Sequence, residues 1–417
     1  MANLQPYNKY NPIVYDYVNQ LPEDWRLLPN IAIFEERVER GKEDYELLSI
    51  SISKGVVKQS DMDKKDISSP DKSNYKIVRV GDIAYGMEFR KGAVGYSIYE
   101  GIVSPVYTIL KPRKNNEVNP KFFHYVFRTA YYKNYIWRNV YGIGEHFLPC
   151  RFTHFKRMYS IVPPLDIQNS IVEYLDKKNN EIDRFIRNKE RLIKLLESQR
   201  KAIITKTIFQ DNFSVKPLKY LVSKVGSGVT PLGGANVYIS EGVCFLRSQN
   251  IHFDGLRLED VAFISEKIHS KMKYTKVKKN DVLLNITGAS IGRCCAIKEN
   301  IEANVNQHVC IIRPKKNLNS KFLAYYLAST TIQNLIRNNQ DGASREGLSF
   351  SEIKSFPVPV VDIDKQVEIA KQIMEKDVEI DLAISKAQQE ITSIKEYREA
   401  LITDLVTGKR QLKHNSS

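Results

Sequence analysis

Apolar residues recur at spacings of three, four and seven along two long stretches, residues 168–208 and 366–406. In the first, Leu175, Ile182, Lys189, Leu196 and Ile203 fall at one heptad position. In the second, Ile373, Ile380, Ala387, Ile394 and Leu401 do the same. Neither stretch contains Pro or Gly, and Gly408 supplies a stop after the second. The pattern predicts two helices of about 40 residues, each roughly 60 Å long at 1.5 Å per residue. A narrow apolar seam on so long a helix calls for a second helix beside it. Antiparallel pairing lets the chain between them fold as one domain at one end, with the preceding domain at the other, a dumbbell around a stiff rod. Between the helical stretches the pattern changes to short β-like runs punctuated by glycine, such as Lys76-Ile77-Val78-Arg79-Val80, Val282-Leu283-Leu284-Asn285-Ile286 and Val309-Cys310-Ile311-Ile312. Helix-like stretches follow at 121–138 and 320–338.

The chain repeats itself. With an offset of 198, Gln168 falls on Gln366, Glu181-Ile182-Asp183 on Glu379-Ile380-Asp381, Arg200 on Arg398, and Ala202, Ile204 and Thr205 on Ala400, Ile402 and Thr403. One ungapped register carries polar and charged identities that hydrophobic spacing alone does not require. Looser similarity extends upstream. Val162-Pro163 resembles Val358-Pro359, and Lys121-Phe122 with Tyr125 resembles Lys321-Phe322 with Tyr325. Gly81-Asp82-Ile83 resembles Asn280-Asp281-Val282, and Gly92-Ala93-Val94-Gly95 resembles the loop from Gly288 to Gly292. A repeat of about 200 residues is too long for a solenoid. The predicted fold class is α+β: two heads, each a twisted β-sheet with short helices, separated by two long helices in an antiparallel coiled coil. The expected segments are a first head at 1–162, a central helix at 163–210, a second head at 211–359, and a C-terminal helix and tail at 360–417.

Net charge changes the functional picture. Its value of +15 favours a polyanion, nucleic acid before any other. Lysines suit phosphates, which carry affinity and no sequence information. Amide and guanidinium groups that present two hydrogen bonds suit base edges. Candidates in the first head are Lys54, Lys58, Arg90, Lys91, Arg151, Lys156 and Arg157. In the second they are Arg247, Gln249, Asn250, Lys271, Lys273, Arg293, Asn306, Gln307 and Arg345. Loop 287–293 has the glycines for close approach to a phosphate, and serves equally as a plain turn.

Catalytic and metal signatures are missing. There is no Gly-x-x-x-x-Gly-Lys-Ser/Thr loop, no Gly-x-Gly-x-x-Gly fingerprint and no His-Glu-x-x-His. No Asp/Asn-Pro-Pro-aromatic tetrapeptide of the amino-methyltransferase kind is present: Pro163-Pro164-Leu165 follows Val162, which cannot hold an amine. The five cysteines form no Cys-x-x-Cys and no zinc spacing, so reduced thiols are expected and no metal is predicted. Residues 1–20 do not read as a signal peptide, and no apolar run is long enough to span a bilayer. The expectation is a cytoplasmic DNA reader that is not an enzyme.

Residues 162–171, Glu181-Ile182-Asp183 and Arg200, then Pro357-Val358-Pro359, Gln366, Glu379-Ile380-Asp381, Arg398, Leu401-Ile402-Thr403 and Val406-Thr407-Gly408, resemble the specificity subunit of type I restriction–modification systems. Leu21-Pro22-Glu23-Asp24-Trp25 resembles that family's entry to its first head. The resemblance implies that each head is a target recognition domain reading one half of a bipartite site in double-stranded DNA. The paired helices would then fix the spacer between half-sites. Two methyltransferase subunits using S-adenosylmethionine to methylate adenine would be partners, as would endonuclease/translocase subunits using ATP and Mg. Gln168, Ile182, Asp183, Arg200, Gln366, Ile380, Asp381 and Arg398 would form the subunit interface on the helices, and the host cell would be bacterial or archaeal. A modification-only specificity subunit without a nuclease partner remains open, as does, more remotely, a stand-alone site-specific nuclease.

Overall fold

The computed structural model describes residues 4–15, 18–52, 54–62, 68–113, 118–140, 150–211, 213–338 and 347–413. The chain forms two compact units, Met1–Asn188 with Glu390–Ser417, and Lys189–Gln389. The division does not follow the head and helix segments read from the sequence. Each unit takes one head together with a length of both long helices.

In the first unit four strands, β1 (Phe34–Glu36), β2 (Ile83–Tyr85), β3 (Val94–Tyr96) and β4 (Thr108–Pro112), form an antiparallel sheet in the order β3-β2-β4-β1. The register pairs Thr108 with Tyr85 and Leu110 with both Ile83 and Glu36. Helices α1 (Pro120–Arg128) and α2 (Ala130–Asn139) follow. The Asn119 side chain caps α1 and Pro120 opens it, while Thr129 caps α2. Phe34, Phe89, Phe122, Phe123, Phe127, Tyr132 and Phe155, all fully buried, make the centre of the core. Burial of each ring contributes about 1.5–3 kcal/mol.

The first long helix, α3 (Leu165–Ile208), starts in this unit. Its Ile171, Val172 and Leu175 share the core with Leu401, Leu405 and Val406 from the last turns of the second long helix. Asp183, further along α3, meets Arg398, earlier on that second helix. The two segments therefore run antiparallel.

The second unit repeats the plan. Its strands are β5 (Val222–Ser227), β6 (Val243–Leu246), β7 (Ala262–Ile264), β8 (Val282–Asn285), β9 (Cys294–Ala296), β10 (Ala303–Val305) and β11 (Val309–Pro314). The sheet order β9-β8-β11-β5 reproduces that of the first unit, strand for strand. A second sheet, β7-β6-β10, pairs β6 with β10 in parallel and with β7 antiparallel. Between β6 and β8 lies α4 (Glu266–Lys271); α5 (Ser320–Ala328), α6 (Thr330–Asn338) and the second long helix α7 (Ile363–Val406) come later. Ile204 and Ile208 of α3 pack with Ile369, Ala370 and Ile373 of α7, and Arg200 reaches Asp381, so antiparallel pairing recurs. In the second unit β6, β7 and α4 lie between the first and second strands of the main sheet, and β10, between β9 and β11, completes the β7-β6-β10 sheet. All five cysteines are free thiols. Among the described residues no helix is long and apolar enough to cross a membrane.

Candidate DNA interface

The repeated polar residues join each head to the helices. Gln168 accepts from Asn119 N–H at 2.8 Å and donates to the Pro163 carbonyl at 2.8 Å. Gln366 accepts from Asn319 N–H at 2.8 Å and donates to Val361 at 2.7 Å and Asn317 at 3.1 Å. Both glutamines are buried, so they satisfy backbone groups within the chain and offer nothing to an external partner. This corrects their reading as interface positions. Ile182 and Ile380 are likewise buried. Arg398 pairs with Asp183, and Arg200 pairs with Asp381 and lies 3.8 Å from Asp377. Asp183 and Asp381 are repeat equivalents, as are Arg200 and Arg398. The same ion pair thus forms in each unit with the contributing helices exchanged.

In the first unit Arg128, at the end of α1, donates to the carbonyls of Ile52 at 2.7 Å, Val94 at 3.0 Å and Gly92 at 3.3 Å. That clamp holds two loops side by side and brings Lys54 and Lys91 to one groove of about 720 Å³, which Lys133, Asn179 and Arg398 also line. His124 lies at the same groove. Its Nδ1 accepts from Tyr96 N–H at 3.2 Å, and burial, then Arg128 and Lys121, push its pKa down to about 3. Other candidates lie apart from this groove. Arg90 sits over the Trp137 ring at 4.4 Å, and Lys58 pairs with Glu46 at 3.7 Å and lies over Tyr99. Arg151 borders a different cavity of about 550 Å³ with Tyr85 and Cys150.

In the second unit three loops converge. Arg247 follows β6 and Asn306 follows β10, at the same end of that parallel pair. Asn285, at the end of β8, donates to the Ser248 carbonyl at 2.8 Å and to Ser290 Oγ at 3.1 Å, and so ties in the 287–293 loop that ends at Arg293. Thr287 Oγ1 lies 2.6 Å from His308 Nδ1, whose Nε2 lies 2.8 Å from the Gln307 amide, and Thr230 donates to Gln307. Arg247 lies over the Tyr238 ring at 5.8 Å and donates to the Asp260 carbonyl at 3.2 Å. Gln249 donates to Asp260 Oδ2 at 2.8 Å. Gln249 is exposed and Arg247 partly exposed, so donor groups of both can be handed to another acceptor.

Two candidates are corrected. Asn250 is buried, accepts from Arg247 N–H at 2.9 Å and donates to the Arg257 carbonyl at 2.9 Å, so it shapes the turn. Asn306 is buried and accepts from His308 N–H at 3.1 Å. Lys271 and Lys273 are exposed at the end of α4 and just beyond it, and Arg345 lies outside the described residues.

Sequence reasoning noticed Tyr125 and Tyr325 only as matching letters. Tyr125 donates to Asp176 at 2.6 Å and accepts from Asn179 at 3.1 Å, which fastens α1 to α3. Tyr325 is hydrogen-bonded to Asp377, whose pKa burial raises. Repetition was the signal that could have found this pair. Nothing in the sequence distinguished Arg128 as a clamp.

Residues 245–396 match the family model described as a type I restriction modification DNA specificity domain. The chain is 26% identical over 247 residues to the type I restriction enzyme EcoBI specificity subunit of Escherichia coli, a match spanning 51% of this chain and half of that one. It is 22% identical over 435 residues to a Methanocaldococcus jannaschii chain proposed as the type I restriction enzyme MjaX specificity subunit, covering 95% of this chain and 96% of the other. Its fold is similar to a chain from a type I restriction–modification system solved for its complex assembly and conformational transition, with a TM-score of 0.73 at 13% identity over 93% of this chain and 99% of that one. The HsdS subunit from Thermoanaerobacter tengcongensis gives 0.53 at 14% identity, over 93% and 98%. The chain thus combines a duplicated head-and-helix plan with a segment, residues 245–396, that matches a type I restriction modification DNA specificity domain, and it is similar along its length to type I restriction specificity subunits.

Proposed function

We propose that this chain is the non-catalytic DNA reader of a type I restriction–modification complex in a bacterial or archaeal cytoplasm. Each head reads one half of a bipartite site in double-stranded DNA, and the spacing is set by the helices. In the second head the reading surface is the convergence of the 247–250, 287–293 and 306–308 loops, with the exposed Gln249 and Gln307 and the partly exposed Arg247 as donors. In the first head the groove holding Lys54 and Lys91 takes phosphates. Two methyltransferase subunits using S-adenosylmethionine and endonuclease subunits using ATP and Mg supply the chemistry. The observation that carries this reading is the exchange of Arg–Asp partners between two units whose heads have diverged. Partners that bind twice need the helices alike, whereas two different half-sites need the heads unlike.

The experiment is co-purification of a tagged copy from its host, with methylated adenines mapped in the genome with and without the gene. Recovery of methyltransferase subunits, and loss of one bipartite motif on deletion, is the expected result. Recovery of the chain alone with an unchanged methylome refutes the partner assignment. Arg247→Ala or Gln249→Ala is expected to relax specificity in one half-site only. Equal weakening on all DNA would reassign these residues to phosphate contact.

A further inference from the structure

We propose that the second head holds a divalent transition-metal ion of the zinc type between His269, Glu302 and Glu266. Glu266 and His269 sit three residues apart on α4 and so share a face. Glu302 comes from the loop immediately before β10. The candidate ligand atoms of the three lie within 4.8 Å of one another.

His269 makes this more than a pair of exposed carboxylates. It is 1% exposed, and its Nε2 is buried with no hydrogen-bond partner, 3.3 Å from Glu302 Oε1. The other ring nitrogen fixes the tautomer. Asn304 Nδ2 donates to the Met272 carbonyl at 2.9 Å and to Thr275 Oγ1 at 2.8 Å, and Thr275 itself donates to Met272. Asn304 must therefore present its oxygen to His269, whose Nδ1 carries the proton. With Nδ1 engaged by Asn304, Nε2 faces the Glu302 carboxylate, and the Glu266 carboxylate lies beside it. Three electron-rich atoms facing one another repel unless a cation lies among them.

A single proton among the three groups would supply one positive charge against two negative ones. A divalent cation balances both carboxylates. With metal–ligand bonds of about 2.1 Å, a tetrahedral site needs ligand atoms roughly 3.4 Å apart, close to the His269–Glu302 separation. A ligating histidine whose second nitrogen donates to an amide oxygen is the usual outer-shell arrangement. Three protein ligands leave a fourth position to solvent. The ion would pin α4 to the second sheet, and with it the segment carrying Lys267, Lys271 and Lys273.

The test uses the full-length chain dialysed against a chelator and titrated with Co²⁺ alone, then with Zn²⁺ as competitor. Expected are one saturable equivalent with visible d–d absorption, displacement by Zn²⁺, and a higher melting temperature with Zn²⁺. Glu266→Gln combined with Glu302→Gln replaces two exposed carboxylates by neutral amides, and circular dichroism verifies its fold. This variant is expected to bind at least about 100-fold more weakly and to lose the melting shift. Absence of stoichiometric binding overturns the proposal. So does unchanged affinity in the double variant, or a Co²⁺ spectrum dominated by thiolate charge transfer.

Discussion

Asp82 stands at a turn that both heads share, and removing it tests how the first head is braced. Its side chain is 3% exposed. Oδ2 receives Arg37 Nε at 2.7 Å and Arg79 N–H at 2.8 Å, and Oδ1 receives Arg37 Nη2 at 3.1 Å. The Asp82 contact is the leading reason that the Arg37 pKa is raised. Asp82→Ala leaves the Arg79 N–H without its acceptor and Arg37, 12% exposed, without its main counter-charge. Breaking a buried pair from one side costs about 3–5 kcal/mol. Arg37 keeps Glu39, which is 43% exposed, so the lower end of that range is expected, about 3 kcal/mol. Both tryptophans, Trp25 and Trp137, belong to the first unit, and Trp25 is in its core, so urea unfolding followed by fluorescence reports on that unit. With a urea slope of about 2–3 kcal/mol per molar, the midpoint should fall by about 1–1.5 M. Arg37→Ala, which strands a buried carboxylate, should cost at least as much. A double-mutant cycle should return a coupling energy of about 1.5 kcal/mol or more. An Asp82→Ala midpoint within about 0.2 M of the original, or additive single losses, would refute the account.

Three further outcomes are expected. His124 is held neutral in the fold, with its pKa lowered from 6.5 to about 3. Above pH 6.5 it is neutral whether folded or unfolded. As pH falls from 6.5 to 3 only the unfolded chain binds the proton, so stability is lost, by about 2 kcal/mol at pH 5. His124→Gln should flatten the change in urea midpoint between pH 7 and pH 5, and an undiminished change would contradict His124 as its cause. Gln366→Leu strands the Asn319 N–H and the Val361 carbonyl, so a loss of about 2–4 kcal/mol is expected in thermal unfolding followed by circular dichroism. A loss under about 0.5 kcal/mol would show that water replaces the amide. Replacing Lys54 and Lys91 together by Gln should reduce the magnitude of the slope of log binding constant against log salt by about 1.8, equally for specific and random duplexes, measured by fluorescence anisotropy. An unchanged slope would remove phosphates from that groove.

The two long helices were legible because a long helix states its period many times over. Leu175, Ile182, Ile373, Ile380 and Leu401 lie in the seam or at its ends, as the heptads require. Repetition also carried information that periodicity cannot. Gln168 with Gln366, Asp183 with Asp381 and Arg200 with Arg398 were all found by matching the chain to itself. Their partners were not, because the Arg–Asp pairs cross from one copy of the repeat to the other. Asp82 and Asp281 were noticed as a matching turn, yet their arginines come from non-matching places: Arg37 just after β1, Arg313 on β11. The site was read less well. Asn250 and Asn306 have the right chemistry for base edges, but the backbone of its own loop takes up both ends of the Asn250 amide and the oxygen of Asn306.

What the sequence determined by itself was the duplicated order of elements, the helix period and the positive charge, all properties of local spacing and composition. The tertiary structure decided which polar groups remain free to meet a ligand. Burial and pairing depend on neighbours brought from far along the chain: Arg128 clamps loops 76 and 36 residues away, and Asn304 sets the tautomer of His269 from 35 residues away. A side chain's donors and acceptors are written in its letter. Whether they are already satisfied is fixed only when the chain has closed on itself.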